Sequence, residues 1–163
     1  MAVTAHRLAI NPHGDQYPDD NTIKEIVLQA DGLVAANPDD RHVLIRWTNG
    51  TDGEGNLLTQ IIHLSGGPGN YHFHTPQVKI HVKELDTLHV LGDYTREQRN
   101  KIIILAKAIQ FNKKSHVNNC QTWMRDLLAA MVNDGLLSSE TFDKIDVDVP
   151  LKKRIPELPE NSI

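Results

Sequence analysis

Strict alternation of apolar and polar side chains is clearest where Val78, Ile80 and Val82 interleave with Lys79, His81 and Lys83, predicting a strand with one buried and one wet face. Arg41 to Thr48 and Leu57 to Leu64 are rich in β-branched and apolar residues, and the Gly-, Asp-, Thr- and Asn-built segment Asn49 to Asn56 between them marks a hairpin. Leu88 to Leu91 adds a further candidate strand, and Val3 to Ile10 a first one, followed by a polar loop from Asn11 to Asp20. Ile23, Ile26, Val27 and Ala30 recur at helical spacing behind Asp20 as a cap, which predicts a short helix, with a strand as the alternative.

The second half changes period. Thr95 and Gln98 form a capping-box pattern ahead of Ile102, Ile103, Ala106 and Ile109, predicting a helix from about Arg96 to Phe111. Asn118-Asn119 caps a second helix beginning near Cys120, on which Cys120, Trp123, Leu127 and Met131 share a side and which Gly135 ends. Ser138 opens a shorter one. Together these elements predict an α+β fold: a central antiparallel sheet of four or more strands, with the Cys-bearing helix packed at the His-bearing strands. Residues 1–149 make one domain and 150–163 a Pro-rich tail, whose Lys152-Lys153-Arg154 cluster reads as a solvated terminus.

Composition supports a globular domain, with 163 residues, 39% hydrophobic and 23% charged. A chain of this length buries roughly two-thirds of its unfolded surface, so it needs neither disulfides nor a structural metal. The net charge of −4 and the lack of a basic stripe argue against nucleic-acid or anionic-lipid partners. The longest apolar run, Ile102 to Leu105, is far short of the ~20 residues of a membrane span. With no secretory or lipidation signal in view, the expected location is cytoplasmic.

One cysteine cannot form an internal bridge, which makes Cys120 a candidate nucleophile. In the first turn of a helix it faces unsatisfied N–H groups and the positive end of the macrodipole, so a lowered thiol pKa is expected. If the hairpin pairs symmetrically, with Asn49 facing Asn56, His42 falls opposite His63. That supplies a neutral imidazole to take the thiol proton and a second ring to orient the first.

The segments Arg41-His42-Val43-Leu44-Ile45, Ile61-Ile62-His63-Leu64 and Asn119-Cys120-Gln121-Thr122-Trp123 resemble the circularly permuted, NlpC-type branch of the papain-like superfamily, typified by lecithin retinol acyltransferase. The resemblance spans Arg41 to Leu137 through short motifs. It implies Cys120 as nucleophile, His42 as general base and His63 as the residue orienting it, with Asn119 and Gln121 helping to place an oxyanion. Val43 stands where the branch has an aromatic, and Arg46 where it has a tyrosine. These departures bear on the substrate or on whether activity is retained.

The expected function is therefore a cofactor-free cysteine hydrolase or acyltransferase acting on a small-molecule, acyl or peptidyl amide, ester or thioester, with Arg46, Asn119, Gln121 and Trp123 near the substrate. The alternative is an inactive domain of the same fold that binds a small molecule or protein, with Arg46 receiving an anionic group. His72 and His74 form a His-x-His pair that suits a metal, but no third ligand has convincing spacing, so no metal is expected. Gly66-Gly67-Pro68-Gly69 lacks the lysine and helix of a phosphate-binding loop and reads as a flexible turn over the site.

Overall fold

The computed structural model describes residues 16–32, 41–79 and 86–158. The strand expected at Val3 to Ile10, and the alternating run from Ile80 to Val82, lie outside these residues. Among the described residues, six strands precede three helices: β1 (Lys24–Ala30), β2 (Val43–Thr51), β3 (Leu57–Gly67), β4 (Asn70–His74), β5 (Gln77–Lys79), β6 (Thr87–Tyr94), α1 (Arg96–Ala108), α2 (Cys120–Asn133) and α3 (Ser139–Asp148). The sheet is open, in the order β4-β3-β2-β1-β6, with β5 on the edge of β3. Every pairing is antiparallel.

The stretch around Ile26 forms strand β1 rather than the expected short helix. Ile26, Leu28 and Ala30 point into the core, Val27 pairs with Arg46, and Ile23 lies exposed before the strand. Two flanking strands satisfy the backbone of β1 on both edges, which outweighs the weak helical spacing of four apolar residues. Asp20 does not cap a helix; its carboxylate accepts the Thr22 N–H in a local turn.

The helices all pack on one face of the sheet. Ile26, Leu28, Ala30, Val43, Ile45, Trp47, Ile62, Leu64 and Tyr71 form one buried cluster with Ile102, Trp123, Met124, Leu127, Leu128 and Met131. Alternation sends Gln29, Leu44, Arg46 and His63 to the opposite face. α1 carries the complete Thr95–Gln98 capping box but stops at Ala108, since Ile109 is extended. Phe111 then packs edge-on against Tyr71 instead of continuing the helix, with ring centroids 5.4 Å apart. No helix among the described residues is long and apolar enough to cross a membrane.

The four-residue glycine-rich segment is not a free loop. Gly66 and Gly67 end β3, and a Cβ at Gly66, whose φ is +100°, would lie 2.0 Å from the Asn70 carbonyl oxygen. Gly69 N–H donates to Ser115 O at 2.8 Å and Tyr71 N–H to Lys113 O at 2.8 Å, which ties the β3–β4 turn to the segment leading into α2. The C-terminal segment is anchored at points, while Lys153 to Pro156 and Leu158 stay exposed, as expected of a solvated stretch. Leu151 is buried in the core cluster, and Arg154 pairs with Asp126 at 2.6 Å.

Candidate functional site

The site forms where the start of β2 meets the start of α2. Asn119 is the N-cap of that helix: its side-chain oxygen accepts the N–H groups of Gln121 and Thr122, and Thr122 Oγ1 accepts the N–H of Asn119. This reciprocal box puts Cys120 at the first helical position. Its Sγ lies 3.9 Å from Arg41 O, and the backbone N–H groups of Val43, Gln121 and Cys120 itself turn toward the sulfur. The nucleophile candidate thus touches the backbone on both sides of His42.

The two histidines meet, though by a different register from the symmetric hairpin. Ile45 pairs with Ile62 and Thr48 with Thr59, and a bulge at Asn49 then brings Gly50 opposite Leu58. Continued one step past Ile45, this register sets Leu44 beside His63 and leaves His42 on the diagonal. The difference begins at the turn, where Thr51 pairs with Leu57 instead of Asn49 facing Asn56, and the bulge takes back only one residue of that offset. The rings remain in reach: His42 Nε2 and His63 Nδ1 are 2.8 Å apart, edge to face, with centroids at 5.0 Å. Among the described residues no hydrogen bond joins Cys120 to either ring.

Electrostatics reverse one expectation. Burial pushes the Cys120 thiol up to about 11; the three backbone N–H groups act in the opposite direction and are outweighed, while Asp31 adds to the rise. A thiol below its ordinary value, predicted from the helix N-terminus alone, ignored this desolvation. Burial also holds His42 below its usual value against the pull of Asp31. His63 is fully buried, and burial, followed by the neighbouring His42 and His74, lowers it to about 3. At neutral pH all three groups are uncharged.

His74 extends the row. It pairs directly with His63 across β3 and β4, with ring centroids 6.3 Å apart. Among the described residues, neither His63 Nε2 nor His74 Nε2, both buried, has a hydrogen-bond partner. His72 is exposed and bonds Asn70 Oδ1 at 2.8 Å. Among the described residues, no three His, Cys, Asp or Glu side chains gather where a metal ion could be held.

The residues expected near substrate are mostly engaged elsewhere. Gln121 is buried and its Nε2 donates to Arg41 O at 3.1 Å. Trp123 lies in the core, 5.6 Å from the Phe73 ring. Arg46 is buried on the face away from the helices, its Nε bonded to Gln29 Oε1 at 2.9 Å.

Arg41, Asp31 and the chain end near 155 are site components that the sequence did not reveal. Buried Arg41 donates to the carbonyls of Asp31, Gly32 and Val149 and to the Thr87 hydroxyl, and so fixes the backbone at His42. Only a correct reading of β1 as a strand would have brought Asp31 beside His42. Asn118, next to the N-cap, is clasped by the chain end: its amide bonds both the N–H and the carbonyl of Ile155 at 2.8 Å. Glu157 joins by accepting from Ser115 Oγ at 2.6 Å and Asn118 Nδ2 at 3.0 Å.

Comparison with protein-family models, with curated proteins and with solved structures finds no match to this chain.

Proposed function

We propose that the chain is a cysteine-dependent hydrolase or acyltransferase for an amide, ester or thioester, built on a permuted papain-like arrangement, with Cys120 as nucleophile, His42 as base and His63 as its orienter. One observation carries this reading: Cys120 Sγ sits at a capped helix N-terminus against the backbone flanking His42, whose ring is bonded to His63 at 2.8 Å. Because thiol and imidazole both rest uncharged, the chemistry is general-base catalysis rather than a preformed ion pair. His42 Nδ1 takes the proton as sulfur attacks the carbonyl carbon. That role places the other His42 proton on Nε2, donated to His63 Nδ1, and leaves the His63 proton on Nε2.

The tetrahedral intermediate then expels the amine, alcohol or thiol, which leaves with the proton from His42. Water or a second nucleophile attacks the resulting thioester, gives its proton to His42, and releases Cys120 as the thiol. Among the described residues no hydrogen bond joins Cys120 to the His42 ring, so this mechanism requires that contact to form when substrate enters. Asn119 and Gln121 act by fixing Cys120 and the Arg41 backbone.

The test is acylation by p-nitrophenyl acetate. One equivalent of nitrophenolate per chain and an acetyl mass on Cys120 are expected, slowed roughly a hundredfold by His42→Ala and less by His63→Ala. A second reading, an inactive binding domain, is favoured by the raised thiol and its lack of a bond to His42. It predicts no acylation, and no iodoacetamide labelling of Cys120 until the protein is unfolded.

A further inference from the structure

The β1–β2 ladder runs one residue past its last strand pair, Ala30 with Val43, because Asp31 N–H donates to His42 O at 2.9 Å. Asp31 and His42 are therefore direct cross-strand neighbours, with Cβ atoms ~5 Å apart on the same side of the ladder. Arg41 Nε holds the Asp31 carbonyl at 3.0 Å. The aspartate is exposed, and among the described residues its carboxylate has no hydrogen bond or ion pair. Its charge is felt at His42, at Cys120 and at Arg41. Among the described residues Arg41 is the cation that interacts with Asp31, but its guanidinium is buried, donates to neutral oxygens, and is drawn to Asp86 as well. A negative potential therefore remains on the solvent side of the base.

We propose that Asp31 is a specificity-determining residue, selecting substrates that carry a positive charge close to the carbonyl attacked by Cys120, such as amides, esters or thioesters of amine- or guanidinium-bearing acids. This rests on the reading of Cys120 as an accessible nucleophile. A cationic substituent approaching the sulfur gains attraction from the bare carboxylate, and an anionic one meets repulsion. The effect weakens with salt, because the carboxylate is exposed.

Two methanethiosulfonates of opposite charge test this directly, the 2-(trimethylammonium)ethyl and the 2-sulfonatoethyl reagents. In each, the Cys120 thiolate attacks the sulfenyl sulfur, forms a mixed disulfide and expels methanesulfinate. Rates divided by those of the uncharged thiol 2-mercaptoethanol remove intrinsic reagent differences. The normalised cation-to-anion ratio is expected to be about fivefold at low salt, to collapse toward one at 1 M NaCl and in Asp31→Asn, and to return in Asp31→Glu. A ratio near one in the parent, or one that Asp31→Asn leaves unchanged, overturns the inference while leaving Cys120 as nucleophile. Failure of both reagents to modify the folded parent overturns the nucleophile reading and the inference with it. The salt series uses the parent protein alone and decides the question even if a variant folds poorly.

Discussion

His63 shows what a single buried imidazole does to the molecule. Its folded value of about 3 lies below the ordinary 6.5, so the unfolded chain takes up a proton near pH 6.5 that the folded chain refuses until near pH 3. Stability is therefore flat above pH 6.5 and falls as the pH drops through that window. Urea melts at pH 7 and pH 5 should differ by ~2 kcal/mol from this residue alone. His42 and His74, also lowered by burial, act in the same direction. In His63→Gln the pH dependence should shrink by about that amount; an unchanged dependence would show that His63 titrates normally in the folded state. The sequence placed His63 near His42 through a hairpin, but nothing local announced that His63 would be buried beside His74.

Helix α2 was legible because its start is written locally. Asn119 accepts two N–H groups and Thr122 returns the bond, a pattern complete within four residues. Asn119→Ala should cost ~1 kcal/mol, read from denaturant midpoints, and should loosen Cys120 more than the distant Gly135 end. Hydrogen exchange that rises at residues 120–123 and stays constant at 130–133 would show this. The Thr95–Gln98 box was legible for the same reason. What failed was non-local. Ile23, Ile26, Val27 and Ala30 carry both a helical and an alternating pattern, and only pairing to β2 and β6 chose between them. The bulge at Asn49 likewise belongs to a pairing and is invisible in either strand alone. The residues for the His42–His63 contact were therefore identified without the register that makes it.

At the scale of the whole molecule, three distant stretches converge before Cys120: the β3–β4 turn, the segment 112–119 and the chain around 155. Gly69 and Tyr71 donate to one side of that segment, and Ile155 and Glu157 grip it through Asn118 and Ser115 on the other. Asn118→Ala, which strips a buried amide from this clasp, should cost ~2 kcal/mol and should raise hydrogen exchange at 113–119 and 153–157 together. Exchange rising in only one of the two stretches would show that they are not coupled. The proline-punctuated, polar composition of residues 150–158 hid this role, because the clasp joins Asn118 and Ser115 to groups 37 to 42 residues away, a separation that no local pattern signals.

The same clasp sets an order of assembly. The strands of the sheet and helices α1 and α2 are all in place in sequence by Asn133, while Leu137, Ile145, Val149 and Leu151 add the last members of the core. The partners of Asn118 lie at Ile155 and Glu157, 37 and 39 residues further along the chain. A nascent chain that ends at Asn133 therefore lacks both the last part of its core and the contacts that fix the approach to its only cysteine, and the thiol's surroundings are finished by the last residues to arrive.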